Sequence, residues 1–132
     1  GRSMADWQDD TPPPLLQPTD AVLITLDVPV DWLNDRITRR FDQMLDQGAI
    51  AEATAMLPTW DPSHQSSKAI GAPALIAHLR GDMTLSAARD AAIIASRQYA
   101  KRQRTWFRSK HADWAKLDVS STDLSTAIAF TP

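Results

Sequence analysis

Ala21-Val22-Leu23-Ile24-Thr25-Leu26-Asp27-Val28 is apolar on nearly both faces until its end: Val22, Ile24, Leu26 and Val28 alternate with Leu23, Thr25 and Asp27. A half-solvated strand alternates cleanly between apolar and polar residues, whereas a strand covered on both faces of an α/β sheet reads as an almost continuous apolar run. Ala21–Val28 therefore predicts a covered strand. Its backbone donors and acceptors need partners, and a two-stranded sheet is marginal in water. Trp114–Val119 offers only one short second strand. The other strands are thus expected outside this sequence, which reads as a mainly helical piece of a larger α/β protein.

The segments around the strand are expected to be helices. Upstream, Gly1–Asp20 holds Asp6, Asp9, Asp10 and the run Pro12-Pro13-Pro14, which lacks backbone donors and favours extended geometry, so it reads as a connector. Downstream, Asp31 is a cap for an amphipathic helix over Asp31–Gln47, in which Leu33, Ile37, Phe41, Met44 and Leu45 recur at helical spacing before Gly48 stops it. Its other face mixes Arg36, Arg39 and Arg40 with Asp35, Asp42 and Asp46, a pattern that suits a solvated, salt-bridged surface. Ala49–Leu57 is a shorter helix closed by Pro58, and Thr59–Ser67 a loop. Gly71 permits a turn into a helix over Pro73–Arg80, which Gly81 ends. Thr84 caps a long helix over Leu85–Lys110, free of Gly and Pro, with an Ala-rich first half expected to be buried all round. Thr122–Phe130 reads as a weak terminal helix.

At 132 residues and 43% hydrophobic content the chain has material for one core. It has no Cys, and its apolar runs are too short to span a membrane, which fits a soluble protein of a reducing compartment. The start at Gly1, without a secretory signal pattern, suggests a tag remnant or an internal cut.

Charge is unevenly spread. Of 14 basic and 16 acidic residues, 6 basic and no acidic ones fall in Ser96–Lys110, leaving a net charge of −8 elsewhere. At about 100° per residue, Lys101, Arg104 and Arg108 project within roughly 40° of Arg97. Ala88, Ala92, Ala95, Tyr99 and Trp106 cluster opposite, which makes Trp106 a core candidate and leaves Phe107 between the two faces. A ridge of cations one turn apart repels itself unless acids or an anionic partner offset it. Nucleic-acid contact is one reading; a solvated face, or one paired with acids elsewhere in the fold, is the other.

Other chemistry is sparse. No Gly-x-x-x-x-Gly-Lys-Ser/Thr loop occurs among the four glycines, so a nucleotide-phosphate cradle is not encoded here. His64, His78 and His111 are far apart and lack carboxylates at ligand spacing, so no metal site is expected. Asp27 lies where strands of open α/β sheets deliver ligands, but a lone carboxylate serves equally well to end the strand. No catalytic residue is assigned.

Lys68-Ala69-Ile70-Gly71, then Leu79-Arg80-Gly81-Asp82-Met83-Thr84-Leu85, then Arg97-Gln98-Tyr99-Ala100-Lys101-Arg102-Gln103-Arg104-Thr105-Trp106-Phe107-Arg108 resemble, in order and spacing, the C-terminal half of the bacterial tRNA dimethylallyltransferase family, also called tRNA isopentenyltransferases. The helix with Arg36, Arg40, Met44 and Gly48 matches too, as does Gly1–Gln8. The resemblance implies a nucleotide-binding, P-loop-type α/β core with a helical insertion. It implies transfer of a dimethylallyl group from its diphosphate to N6 of the adenosine just 3′ of the tRNA anticodon, with Mg²⁺ assisting. The phosphate loop, the catalytic residues and the metal would lie in the N-terminal part, so residues 21–132 would be an incomplete portion of that core, inactive alone. The enzyme would be cytoplasmic and monomeric.

By the same resemblance, two segments would contact the tRNA anticodon arm. One is Lys68, Ala69, Ile70, Gly71, Ala72 and Pro73; the other is Lys101, Arg102, Gln103, Arg104, Thr105, Trp106, Phe107 and Arg108. The family usually shows Arg-Ala-Ile-Gly-Tyr where this chain has Lys68 and Ala72. Lysine keeps the charge but not the bidentate fork, and any role of the tyrosine is lost. The rival classes are a stand-alone, non-catalytic helical RNA-binding module and a protein-interaction module whose ridge meets an acidic partner.

Overall fold

The computed structural model describes residues 1–120. The terminal helix expected at 122–130 falls outside them. Six helical or strand elements precede a closing strand: α1 (Met4–Asp9), β1 (Ile24–Asp27), α2 (Val30–Asp46), α3 (Ala49–Met56), α4 (Ala72–Leu79), α5 (Leu85–Lys110) and β2 (Ala115–Asp118). The chain is therefore mainly helical among the described residues, with the two strands brought together from its two ends.

β1 and β2 pair in parallel, with Ile24 opposite Ala115 and Asp27 opposite Asp118, and helices α2 to α5 form the crossover between them. The strand expected over Ala21–Val28 is shortened to four residues. Its sequence would support more, but β2 is itself four residues long, and a ladder extends only as far as its partner. Ala115 N donates to Leu23 O (3.1 Å) and Val119 N to Asp27 O (3.2 Å), which closes the ladder at both ends. Leu26 remains 59% exposed on an apolar strand.

Gly1–Asp20 is not wholly an extended connector. Ser3 Oγ accepts from Asp6 N and Asp6 Oδ2 accepts from Ser3 N, both at 3.1 Å, a reciprocal capping box that starts α1. Helix α2 starts one residue earlier than expected, at Val30, because the Pro29 carbonyl accepts from Leu33 N at 3.1 Å; Asp31 does not cap it but sits in the first turn, where its charge complements the helix dipole. Gly48, at φ +107°, turns the chain directly into α3. Helix α4 also begins one residue early, with Pro73 in second place, and α5 runs over the expected range with Ala87 N donating to Thr84 Oγ1 at 3.1 Å.

The core lies where α2, α3, α4 and α5 meet. Phe41, Ala53, Leu75, Ile76, Ala92 and Ile93 are buried together, with Ile37, Leu45, Ile50, Trp60 and Leu79 packed around them. Gly71 (φ +96°) passes directly under Phe41. The first half of α5 buries one face rather than all of its surface: Ala88, Ala92 and Ile93 are inside, while Ile94 is 54% exposed. Asp42, on the face of α2 expected to be solvated and salt-bridged, accepts from Arg89 on α5 through both oxygens, at 2.5 and 2.9 Å. That fork ties α5 to α2.

Candidate nucleic-acid interface

The core-facing row of α5 decides where its cations point. Ala88 and Ala92 are buried, and Ser96, Ala100 and Phe107 are partly buried after them. Each four-residue step turns the row by about 40°, so by Phe107 it lies roughly a quarter turn from both the Arg97 ridge and Trp106. Over these last turns neither the ridge nor the side opposite it faces the core. Both flanks remain open to solvent.

This geometry splits the ridge. Arg97 is tied to α2, its guanidinium donating to Thr38 Oγ1 at 3.1 Å. Arg104 and Arg108 line a cleft of about 430 Å³ bounded by the carboxyl end of β1, Leu33 of α2 and the last turns of α5. Lys101 and Arg102 lie on the other flank, with Thr105 and Trp106, in a shallow groove of about 560 Å³. Lys101, Arg102, Arg104 and Arg108 make no salt bridge among the described residues; the basic side chains that do are Arg2, His64 and Arg89.

Trp106, expected in the core, is 52% exposed, and Tyr99 is 47% exposed. The cause is the drift of the buried row, which leaves both rings on an open flank. Trp106 is nevertheless held in place, edge-on to Phe107 (centroids 5.0 Å apart, planes at 85°) and to His111 (4.8 Å, 70°). The Arg102 guanidinium stands 5.7 Å from the Tyr99 ring. An amphipathic ring fixed at one edge and open elsewhere, flanked by cations, is suited to stack against an unpaired base.

The ring cluster extends further than the sequence indicated. His111, isolated from other histidines in the chain, packs against Trp114 with centroids 4.0 Å apart, and its backbone N donates to Phe107 O at 2.8 Å, closing α5. The four-residue spacing of Phe107 and His111 at a helix end was the available signal.

The second predicted segment divides as well. Lys68, Ala69 and Ile70 are exposed, Pro73 is exposed, and Ala72 is partly buried. Gly71 is buried in the core and has no side chain to offer a ligand. The turn before it is pinned by Asp61: Ser67 Oγ donates to the Asp61 carbonyl (2.6 Å), and Ser63 N donates to the Asp61 carboxylate (2.8 Å). The latter bond is the main cause holding the Asp61 carboxyl below its ordinary range. Ile70 and Gln103 line one groove, of about 430 Å³, together with Arg40, Met44 and Tyr99 between α2 and α5. The two predicted segments therefore border one groove, through Ile70 and Gln103.

Among the described residues, no group of three or more His or acidic side chains converges on a metal position. The Mg²⁺ implied by the resemblance finds no cage in them. No described helix is long and apolar enough to cross a membrane.

The family model for IPP transferase matches residues 1–110. The chain belongs to the IPP transferase family. The match takes in both segments, Lys68–Pro73 and Lys101–Arg108, and stops short of β2. Relatives within the IPP transferase family include the tRNA dimethylallyltransferase of Dinoroseobacter shibae, 59% identical over 92% of this chain and 41% of its own length. That of Jannaschia sp. is 56% identical over 90% of this chain and 41% of its own length. The fold is similar to the crystal structure of a full-length tRNA isopentenylpyrophosphate transferase from Bacillus halodurans, with TM-score 0.73 and 41% identity over 81% of this chain and 35% of that one. A tRNA delta(2)-isopentenylpyrophosphate transferase from Staphylococcus epidermidis gives TM-score 0.74 and 31% identity over 82% of this chain and 35% of its own. The chain thus spans about two-fifths of the length of the curated relatives it matches.

Proposed function

We propose that this chain is the C-terminal part of a tRNA dimethylallyltransferase and supplies its grip on the tRNA anticodon arm. The intact enzyme transfers a dimethylallyl group from dimethylallyl diphosphate to N6 of the adenosine just 3′ of the anticodon. The phosphate loop, the Mg²⁺ and the reacting groups belong to a P-loop-type core contributed by the rest of a cytoplasmic enzyme. The observation that carries the reading is the set of cations on α5 that make no salt bridge among the described residues, Lys101, Arg102, Arg104 and Arg108, near the exposed Trp106 in a chain of this family. Cations would track the phosphate backbone while the ring stacks on a base taken out of its neighbours' stack. Ile70, which shares a groove with Gln103, and the exposed Lys68 and Ala69 beside it in sequence extend that surface.

A stand-alone RNA-binding module is less well supported, because Leu26 of β1 and Val22, two residues before it, stay exposed in a stretch whose sequence suits coverage. The test is the salt dependence of tRNA affinity. Arg104→Ala is expected to reduce the slope of log K against log salt by about one phosphate contact. An unchanged slope would return the ridge to a solvated surface. Purified chain alone is expected to transfer no labelled dimethylallyl group to tRNA.

A further inference from the structure

The cleft at the carboxyl end of β1 has a composition that the ridge alone does not explain. Arg104 and Arg108 enter it from α5 and Lys116 from β2, and none of the three makes a salt bridge among the described residues. Among the described residues Asp27 is the sole carboxylate on its wall, and it accepts from Val28 N at 3.1 Å. Thr25, also on the wall, has a buried Oγ1 with no hydrogen-bond partner among the described residues. In the parallel register Thr25 stands opposite Lys116, so hydroxyl and ammonium spring from one face of the sheet. A buried hydroxyl left unpaired is a cost that proteins rarely accept without a partner to come. Three cations without a salt bridge among the described residues outnumber the single carboxylate there and favour an anion, and the carboxyl ends of parallel strands are where open α/β sheets hold ligands.

We propose that this cleft binds one phosphate group, with Arg104, Arg108 and Lys116 supplying charge and Thr25 Oγ1 a hydrogen bond. Lys116 lies beyond the residues that the family model matches. The proposal deepens the RNA reading above by separating Arg104 and Arg108, which face this cleft, from Lys101 and Arg102, which flank Trp106. It rests on that reading only if the phosphate comes from RNA. The other source of the same chemistry is a free diphosphate.

The test follows the arginine Nε–Hε resonances of the ¹⁵N-labelled chain during titration with inorganic pyrophosphate and, separately, with a five-nucleotide oligouridylate. Saturable shifts of Arg104 and Arg108 are expected, with affinity reduced about tenfold by Thr25→Val or Lys116→Gln and kept by Thr25→Ser. Arg80→Gln, which removes an exposed cation outside the cleft, is expected to change nothing. Saturation by pyrophosphate alone assigns the free anion; saturation by the oligonucleotide alone assigns a backbone phosphodiester. Lys116 is exposed, so its variant keeps the test valid if Thr25→Val disturbs the strand. The proposal falls if neither probe shifts these resonances, or if Arg80→Gln weakens binding as much as Lys116→Gln. If tRNA binds while Thr25→Val and Lys116→Gln are silent, the cleft falls and the RNA reading stands. Pyrophosphate saturation without tRNA binding gives the converse.

Discussion

Gly71 and Phe41 approach so closely that a Cβ on Gly71 would stand 2.9 Å from Cε2 of the Phe41 ring. The glycine also holds φ +96°, a backbone state that side chains disfavour. Phe41 is buried in the core, so its ring has little room to move away. Gly71→Ala is expected to destabilise the fold by on the order of 2–4 kcal/mol, from overpacking and backbone strain together. Gly48 has φ +107°, but a Cβ there would meet nothing within 4 Å, so Gly48→Ala is expected to cost only about 1 kcal/mol. Urea denaturation of the two variants checks the order; equal losses would mean that the Phe41 contact is soft.

The fork between Arg89 and Asp42 predicts a pH effect. Hydrogen bonding from Arg89 is the largest cause holding the Asp42 carboxyl below its ordinary value of 3.8, and burial opposes it. A carboxyl depressed in the folded state stabilises the fold above its unfolded pKa and loses that contribution as pH falls through the folded one. The contribution is therefore full at neutral pH and disappears below about pH 4. Asp42→Asn is expected to lower Tm at pH 7, with the gap to the parent chain closing as pH falls below that value. A gap independent of pH would show that the carboxylate charge is not what holds α5 to α2.

The elements are more legible in the sequence than their ends or their faces. Thr84, Gly81 and a run without Gly or Pro mark α5 because caps and breakers act locally. The ends of β1 are not legible, since they depend on the length of β2, which lies about ninety residues away in sequence. Helix α1 is hidden in an acidic, proline-bearing stretch whose Ser3 and Asp6 carry a capping box. For the site, the projection puts Lys101, Arg104 and Arg108 on one ridge but does not say which direction the neighbouring helices occupy, and the structure divides them, with Arg104 and Arg108 in the cleft by β1 and Lys101 on the other flank. The buried row runs through Ala92, Ser96 and Ala100, whose small side chains allow close packing with little hydrophobic signal. Without that direction, the projection sends Trp106 to the core.

The N-terminal cap of α5 offers a local test of how its long helix is held. Ala87 N donates to Thr84 Oγ1, satisfying one of the donors that the first turn leaves free. Thr84→Ala is expected to cost about 1 kcal/mol, and Thr84→Ser to recover most of it. The urea midpoint reads this directly. Equal midpoints for alanine and serine would indicate that packing of Ala88 and Ala92, rather than the cap, sets the start of the helix.

Trp106 separates stability from binding. Half of its surface is open, and its contacts to Phe107 and His111 are edge-on, so Trp106→Ala is expected to cost only about 1 kcal/mol of stability. If the ring stacks on a base, the same variant loses roughly 1–3 kcal/mol of tRNA affinity, and Trp106→Phe retains part of it because a flat ring remains. Melting and tRNA titration of the same preparations provide both readouts. A stability loss of about 3–5 kcal/mol with unchanged affinity is the signature of a core residue and would sink the stacking role. Loss of affinity at constant Tm, restored in part by phenylalanine but not by leucine, would instead tie binding to the aromatic face, since leucine fills comparable apolar volume without a ring.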